Sequence, residues 1–266
     1  MNTPIRSLAI ALGAFALVAQ ATALSEEPPT AQRIIERADE VRNPKDPFQM
    51  TVQLTEYIAG SARNEVTLTL YSKLAGTTGQ FQNLVLYSAP PRDHGKCVLM
   101  NGTMMWFFDP ASKSSIRISP EQRLVGQASQ GDVVTVNFAR DYSAAFSGPT
   151  GEETINDADK IPRKCWRIDL TPKDSEAIYA KAEYWVEEET FRPIKGKFFS
   201  DSGRLLKIAY YHRYERQLGA DRPTETIIID AVDAKLVTTM ASGDYRTREI
   251  PDSWYQRDYL PRLRIE

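Results

Sequence analysis

With 33 basic and 35 acidic residues in 266, the chain has a formal net charge of −2. It therefore offers no bulk attraction for nucleic acid or an anionic membrane surface. Its length suits one large β domain better than two ordinary ones, and it holds no internal repeat, low-complexity tract or interdomain linker.

The N-terminus places Arg6 before an apolar stretch from Leu8 to Val18, followed by Ala21-Thr22-Ala23, the small-x-small pattern of a signal peptidase site. That stretch is shorter than the roughly 20 residues of a comfortable membrane span. Residues 1–23 therefore read as a signal peptide cleaved after Ala23, with no cysteine nearby for lipidation. Residues 24–266 then form one exported, soluble, periplasmic domain. An uncleaved anchor helix is the alternative.

Pro28-Pro29-Thr30 precedes an amphipathic helix in which Ile34, Ile35, Ala38 and Val41 recur at helical spacing, with Thr30 as cap and Asn43-Pro44 as stop. Strands follow. Met50, Val52 and Leu54 alternate with polar neighbours, as do Val66, Leu68 and Leu70, so each of these strands has one wet and one dry face. Cys97–Met100 and Met104–Phe108 flank Asn101-Gly102, a dipeptide suited to a two-residue hairpin turn. Asp109-Pro110 stops the second arm, a short strand follows at 115–118, and a Gly/Ser/Gln-rich segment leads to Asn137–Tyr142. That segment is long for a plain connection and reads as a cover or lid. Further strands are expected near 151–157, 164–171, 179–188, 193–200, 204–214, 224–230 and 235–248, with a final short helix near Pro251. About a dozen short strands without βαβ alternation imply a mainly β (α+β) fold, a curved antiparallel sheet or incomplete barrel.

Reactive groups are few. His94 and His212 read as exposed and lie far apart, without metal-ligand spacing, and no nucleophile elbow, phosphate-cradling glycine loop or zinc signature occurs. Asn156-Asp157-Ala158-Asp159 lacks the glycine and closing glutamate of a calcium loop and reads as a solvated turn. Asp174, Glu176, Glu183 and Glu187–Glu189 read as the wet face of a strand rather than an acid–base pair. The two cysteines, Cys97 and Cys165, admit two readings: a disulfide favoured by an oxidising compartment, or two buried thiols acting as small hydrophobes.

Three elements between residues 96 and 142 carry a family resemblance: Trp106-Phe107-Phe108-Asp109-Pro110 at the end of a strand, the basic strand Ile116-Arg117-Ile118, and the loop Gly126 to Asp132. Together they resemble the LolA-like family of periplasmic outer-membrane lipoprotein-sorting proteins. The resemblance implies a half-open antiparallel β-barrel of about eleven strands, its hydrophobic concave face covered by helices and a loop. It also implies a non-catalytic, cofactor-free, metal-free carrier that holds the acyl chains of a lipoprotein or lipid between inner and outer membrane. Expected partners are an inner-membrane transporter, with an RND-type exporter as one form, and an outer-membrane acceptor. The ligand-facing residues expected on this reading are Val52, Leu54, Val66, Leu68, Leu70, Leu84, Leu86, Trp106, Phe108, Trp166, Ile168, Phe198, Leu206 and Ile208. One departure from the family stands out. The first strand, Phe48 to Tyr57, has no arginine of the kind that holds the lid, and Arg63 is the nearest candidate. An acyl-ligand sensor of the envelope and an enzyme on the same fold remain the alternatives.

Overall fold

In the computed structural model, which describes residues 28–264 apart from 77, 175 and 176, Thr30 caps the first helix, α1 (Ala31–Arg42). Its hydroxyl accepts the amide of Arg33 at 3.2 Å. Ile34, Ile35 and Ala38 form the buried stripe of that helix. At its C-terminus the guanidinium of Arg222 donates to the carbonyls of Glu40 and Val41 at 3.2 and 2.9 Å. A cation there meets both the unpaired carbonyls and the negative end of the helix dipole. The signal sequence expected at 1–23 lies outside the described residues.

The strands, in chain order, are β1 (Phe48–Ile58), β2 (Ser61–Leu74), β3 (Phe81–Ala89), β4 (Cys97–Asn101), β5 (Met104–Asp109), β6 (Ser114–Ile118), β7 (Arg123–Val125), β8 (Ala128–Ser129), β9 (Tyr142–Phe146), β10 (Glu152–Asn156), β11 (Pro162–Pro172), β12 (Lys181–Glu187), β13 (Pro193–Phe199), β14 (Leu205–Gln217), β15 (Ala220–Asp230) and β16 (Leu236–Thr247). A second helix, α2 (Phe138–Asp141), precedes β9.

Fourteen of these strands form one antiparallel sheet, not the eleven expected; β7 and β8 pair separately. The order is two meanders joined where the first strand pairs with the last, β1 against β16. One margin of the sheet is β6 and the other β10 with β9, and these margins do not pair, so the sheet curls without closing. The strand not expected from sequence is β9, which pairs with β11 beside β10.

Two apolar layers pack on the two sides of this sheet. On the concave side α1 and the segment 119–141 bury Val133, Val134, Val136 and Phe138 against Leu54, Leu68, Leu70, Val85, Ile168 and Leu170. On the convex side the C-terminal segment lays Trp254, Tyr255 and Leu260 over Tyr71, Leu84, Leu99 and Phe108. The rings of Tyr71 and Trp254 meet edge-on at 5.3 Å. The helix expected near Pro251 consists of two short 3-10 stretches, Asp252–Tyr255 and Arg257–Arg262.

The hairpin between β4 and β5 turns one residue later than expected. Asn101 pairs with Met104, which leaves Gly102-Thr103 as the turn with φ +64° at the glycine, the first central position of a II′ turn. The Asn101 side chain instead donates to the carbonyl of Tyr255 at 3.1 Å, tying the hairpin to the convex layer.

Candidate functional site

The segment from Ser119 to Asp141 is a cover, and its attachments are polar. Asn83 on β3 grips Thr135 through both ends of its amide, accepting from the Thr135 amide at 3.0 Å and donating to the Thr135 carbonyl at 3.2 Å. From α1, Arg42 and Asn43 donate to the carbonyl of Val136 at 2.7 and 2.8 Å, and Asp39 accepts the amide of Ala139 at 2.8 Å. Burial pushes the Asp39 carboxyl up, against the opposing pull of Arg42 and that amide. Gly126 has φ +53°, and a Cβ there would lie 2.3 Å from Oγ1 of Thr238 on β16. Only glycine lets the cover lie this close to the sheet, where Thr238 accepts the amide of Gln127 at 2.8 Å.

A further attachment is ionic. Lys207 on β14 is 5% exposed and points its ammonium onto the carboxylate of Asp132 and, at 3.0 Å, the hydroxyl of Ser129. Asp132 also accepts the hydroxyl of Tyr179 and the amide of Ser129. A Ser–Lys contact invites comparison with a nucleophile and base, but here the lysine nitrogen is engaged by a carboxylate and both side chains are buried. The arrangement is that of a latch. Lys207 on β14 is thus a buried cation that ties the cover to the sheet.

Between cover and sheet lies a cavity that opens to solvent at its mouth. Its floor comes from five neighbouring strands: Phe48, Met50 and Val52 of β1, Met240, Ser242 and Tyr245 of β16, Thr226 and Ile228 of β15, Ala209 and Tyr211 of β14, and Phe198 of β13. Val133, Val134, Val136 and Phe138 form the roof, and the end of α1, Arg42 to Pro44, closes one side. Most of the wall is apolar. Its ionised groups are internally paired, Arg42 with Asp39 at 2.5 Å and Asp132 with Lys207.

The fourteen residues expected to face a ligand divide by strand. Val52 and Phe198 line the cavity. Leu54, Val66, Leu68, Leu70 and Ile168 are on the concave side, packed in the core beneath the cover, and Trp166 packs against that layer with its ring 5.5 Å from Phe191. The structure places Leu84, Leu86, Trp106 and Phe108 on the convex side, beneath or beside the C-terminal segment. Their immediate neighbours Val85, Tyr87, Met105 and Phe107 point inward instead. Leu206 and Ile208 also face away from the cavity, because Lys207, Ala209 and Tyr211 take the inward positions of β14. A shift of one residue exchanges the faces of a strand. In β3 and β5 both faces are apolar, so alternation carries no sign. In β14 the lysine marks the dry side, contrary to the usual rule. A lone lysine inside Leu205-Leu206-Lys207-Ile208 was the signal available for the latch, and nothing local distinguished Arg42 or Tyr211.

Cys97 and Cys165 are free and buried. Cys97 on β4 packs with the C-terminal segment and Cys165 on β11 with Trp185 and Ile194. Eight strands lie between them in the sheet, far beyond the Cα separation of about 7 Å that a disulfide spans. The reading as two buried thiols holds and the bridge does not. His212 is less exposed than expected: its ring contacts Glu225 at 2.8 Å and Asp159 at 2.9 Å. Asp157 accepts the amides of Asp159 and Ile161 and pairs with Arg163, so the acidic turn is internally satisfied. Glu183 and Glu187 bind Arg167 and Arg163. Among the described residues no three His, Cys, Asp or Glu side chains converge as metal ligands.

A family model described as an uncharacterized protein matches residues 79–262. The crystal structure of a LolA superfamily protein from Nitrosomonas europaea is 34% identical, with a TM-score of 0.76 over 87% of this chain and 100% of its own. A DUF1329 family protein from Desulfovibrio piger is 20% identical with a TM-score of 0.71 over 86% and 97%. A candidate outer membrane lipoprotein-sorting protein domain from Vibrio parahaemolyticus is 17% identical with a TM-score of 0.71 over 87% and 98%. The last two likenesses speak for the fold. No curated protein matches the chain.

Proposed function

This chain belongs to the LolA superfamily, and from that premise we propose that it is a non-catalytic carrier of acyl chains. The observation that supports this reading is the cavity: an apolar floor of five strands under a roof of valines and a phenylalanine, all its ionised groups paired with one another. An alkyl chain placed there leaves water at about 0.8 kcal/mol per methylene, so about ten enclosed methylenes contribute on the order of 8 kcal/mol before entropic costs. Met50 and Met240 give the wall side chains that adapt to chains of different shape.

On this reading the protein works in the periplasm after loss of residues 1–23. It takes a lipoprotein or lipid from an inner-membrane transporter, for which an RND-type exporter is one candidate, and passes it to an outer-membrane acceptor. The latch between Lys207 and Asp132 then sets how readily the cover yields to an entering chain. The test is native mass spectrometry of protein released from the periplasm, with N-terminal sequencing of the same sample. Co-purified acyl lipid and a start at Leu24 support the reading. Protein that carries no lipid and shows no saturable binding of a fluorescent fatty acid sinks it.

A further inference from the structure

The cavity is not apolar throughout. Arg42, Phe138 and Tyr211 line it, and Tyr184 stands behind them in one continuous cluster. The guanidinium carbon of Arg42 lies 4.4 Å from the Phe138 ring centroid, Phe138 lies 5.3 Å from Tyr184, and Tyr184 lies 5.6 Å from Tyr211. The guanidinium donates through Nη2 to Asp39 and to the carbonyl of Val136, which leaves its buried Nε–H without an acceptor. The buried Tyr184 hydroxyl has no hydrogen-bond partner, and its ring stands edge-on to that of Tyr211. Burial holds both phenols protonated, so each remains a donor.

This corner therefore holds an unpartnered obligate donor, the Arg42 Nε–H, beside phenol hydroxyls that can donate as well as accept. A buried donor without a partner is costly, and native proteins leave few of them. Its charge is balanced, since Asp39 already neutralises Arg42. The complement of an unpartnered donor with no surplus charge is a neutral acceptor, and a carboxylate would have to displace or oppose Asp39. A carbonyl oxygen is such an acceptor, and in an acylated lipid it stands at the head of the chain that would fill the apolar remainder of the cavity.

Resting on the carrier reading, we propose that Arg42, Tyr184 and Tyr211 form a subsite for the carbonyl oxygen of an acyl ester or amide, so that the protein recognises the linkage of its cargo as well as the chain. The ring of Phe138 shields the subsite, and the end of α1 fixes the guanidinium.

The experiment displaces the fluorescent hydrophobic probe N-phenyl-1-naphthylamine from the mature protein with three competitors of similar length: methyl decanoate, dodecane in place of its ester chain, and decanoate. The expected result is displacement by methyl decanoate at about tenfold lower concentration than dodecane, the yield of one charge-assisted hydrogen bond, with decanoate weaker than the ester. In Tyr211→Phe and Tyr184→Phe, isosteric changes that spare the fold even where Arg42→Gln does not, the ratio between ester and hydrocarbon should fall toward one. Equal displacement by ester and hydrocarbon overturns the subsite and leaves the carrier reading standing. A preference for decanoate overturns it in favour of charge recognition, and an unchanged ratio in both phenylalanine variants removes the tyrosines from it. A protein that binds neither the probe nor any competitor fails as a carrier, and the subsite falls with it.

Discussion

Lys207 and Asp132 are joined across the protein's interior, one on the floor of the sheet and the other in the cover above it. Nothing in local sequence links them, although Asp132 also caps its own turn by accepting the amide of Ser129. Their pairing fastens two layers that are otherwise held mainly by apolar contact and by hydrogen bonds from side chains such as Asn83 and Thr238 to the backbone of the cover.

Removing one member should cost more than removing both. Lys207→Met strands a buried carboxylate and is expected to destabilise by roughly 3–5 kcal/mol, whereas Lys207→Met with Asp132→Asn should recover most of the loss. Amide hydrogen exchange across residues 129–136 should rise in the single variant while the central strands stay protected. A single variant no less stable than the double would show that the contact is not a latch.

Packing and cavity can be told apart by two enlargements. Leu68 is fully buried in the core, so Leu68→Phe should overpack it and lower stability by about 1–3 kcal/mol. Ala209 lines the cavity, so Ala209→Leu should project into open space, change stability less, and weaken binding of a fluorescent fatty acid. Melting curves and titrations on both proteins check the contrast; a reversed order would mean that the cavity collapses in solution.

The thiols should be inert until the protein unfolds. Burial pushes both Cys97 and Cys165 up to about 12, so little thiolate exists near pH 8 to react. Alkylation should be slow in the native protein and reach both cysteines under denaturing, non-reducing conditions. Addition of a reductant should leave the melting temperature where it was.

His212 should make the protein more stable in mild acid than its absence would. Burial acts to lower its affinity for a proton, but hydrogen bonds to Glu225 and Asp159 outweigh that and raise it above the ordinary value. The neighbouring Arg213, with Nε 3.1 Å from Glu225, competes for the same carboxylate. A raised folded-state value means the contribution is fully present below the unfolded value of about 6.5 and fades as pH rises through the folded one. The melting temperatures of wild type and His212→Asn should therefore differ more at pH 5.5 than at pH 8.5. A gap that widens with pH would reverse the sign of the argument.

The sequence alone determined the class of fold, the helix at Ala31–Arg42, the hairpin around Gly102 and the inward faces of β1 and β2. These depend on spacing, capping and turn chemistry, which act over a few residues. Val52, Leu54, Val66, Leu68 and Leu70 alternate cleanly because one side of their strands is wet enough to be marked by threonine and glutamate. The inward faces of β3, β5 and β14 were decided by tertiary structure. Leu84 and Phe108 look like cavity residues until Trp254 and Leu260 arrive to cover them from the C-terminus. Lys207 looks like a surface residue until Asp132 meets it from a cover some 75 residues earlier in the chain. Period-two patterning shows that a strand has two faces, but which side becomes the dry interior depends on what packs on each, and that is fixed by segments far apart in sequence.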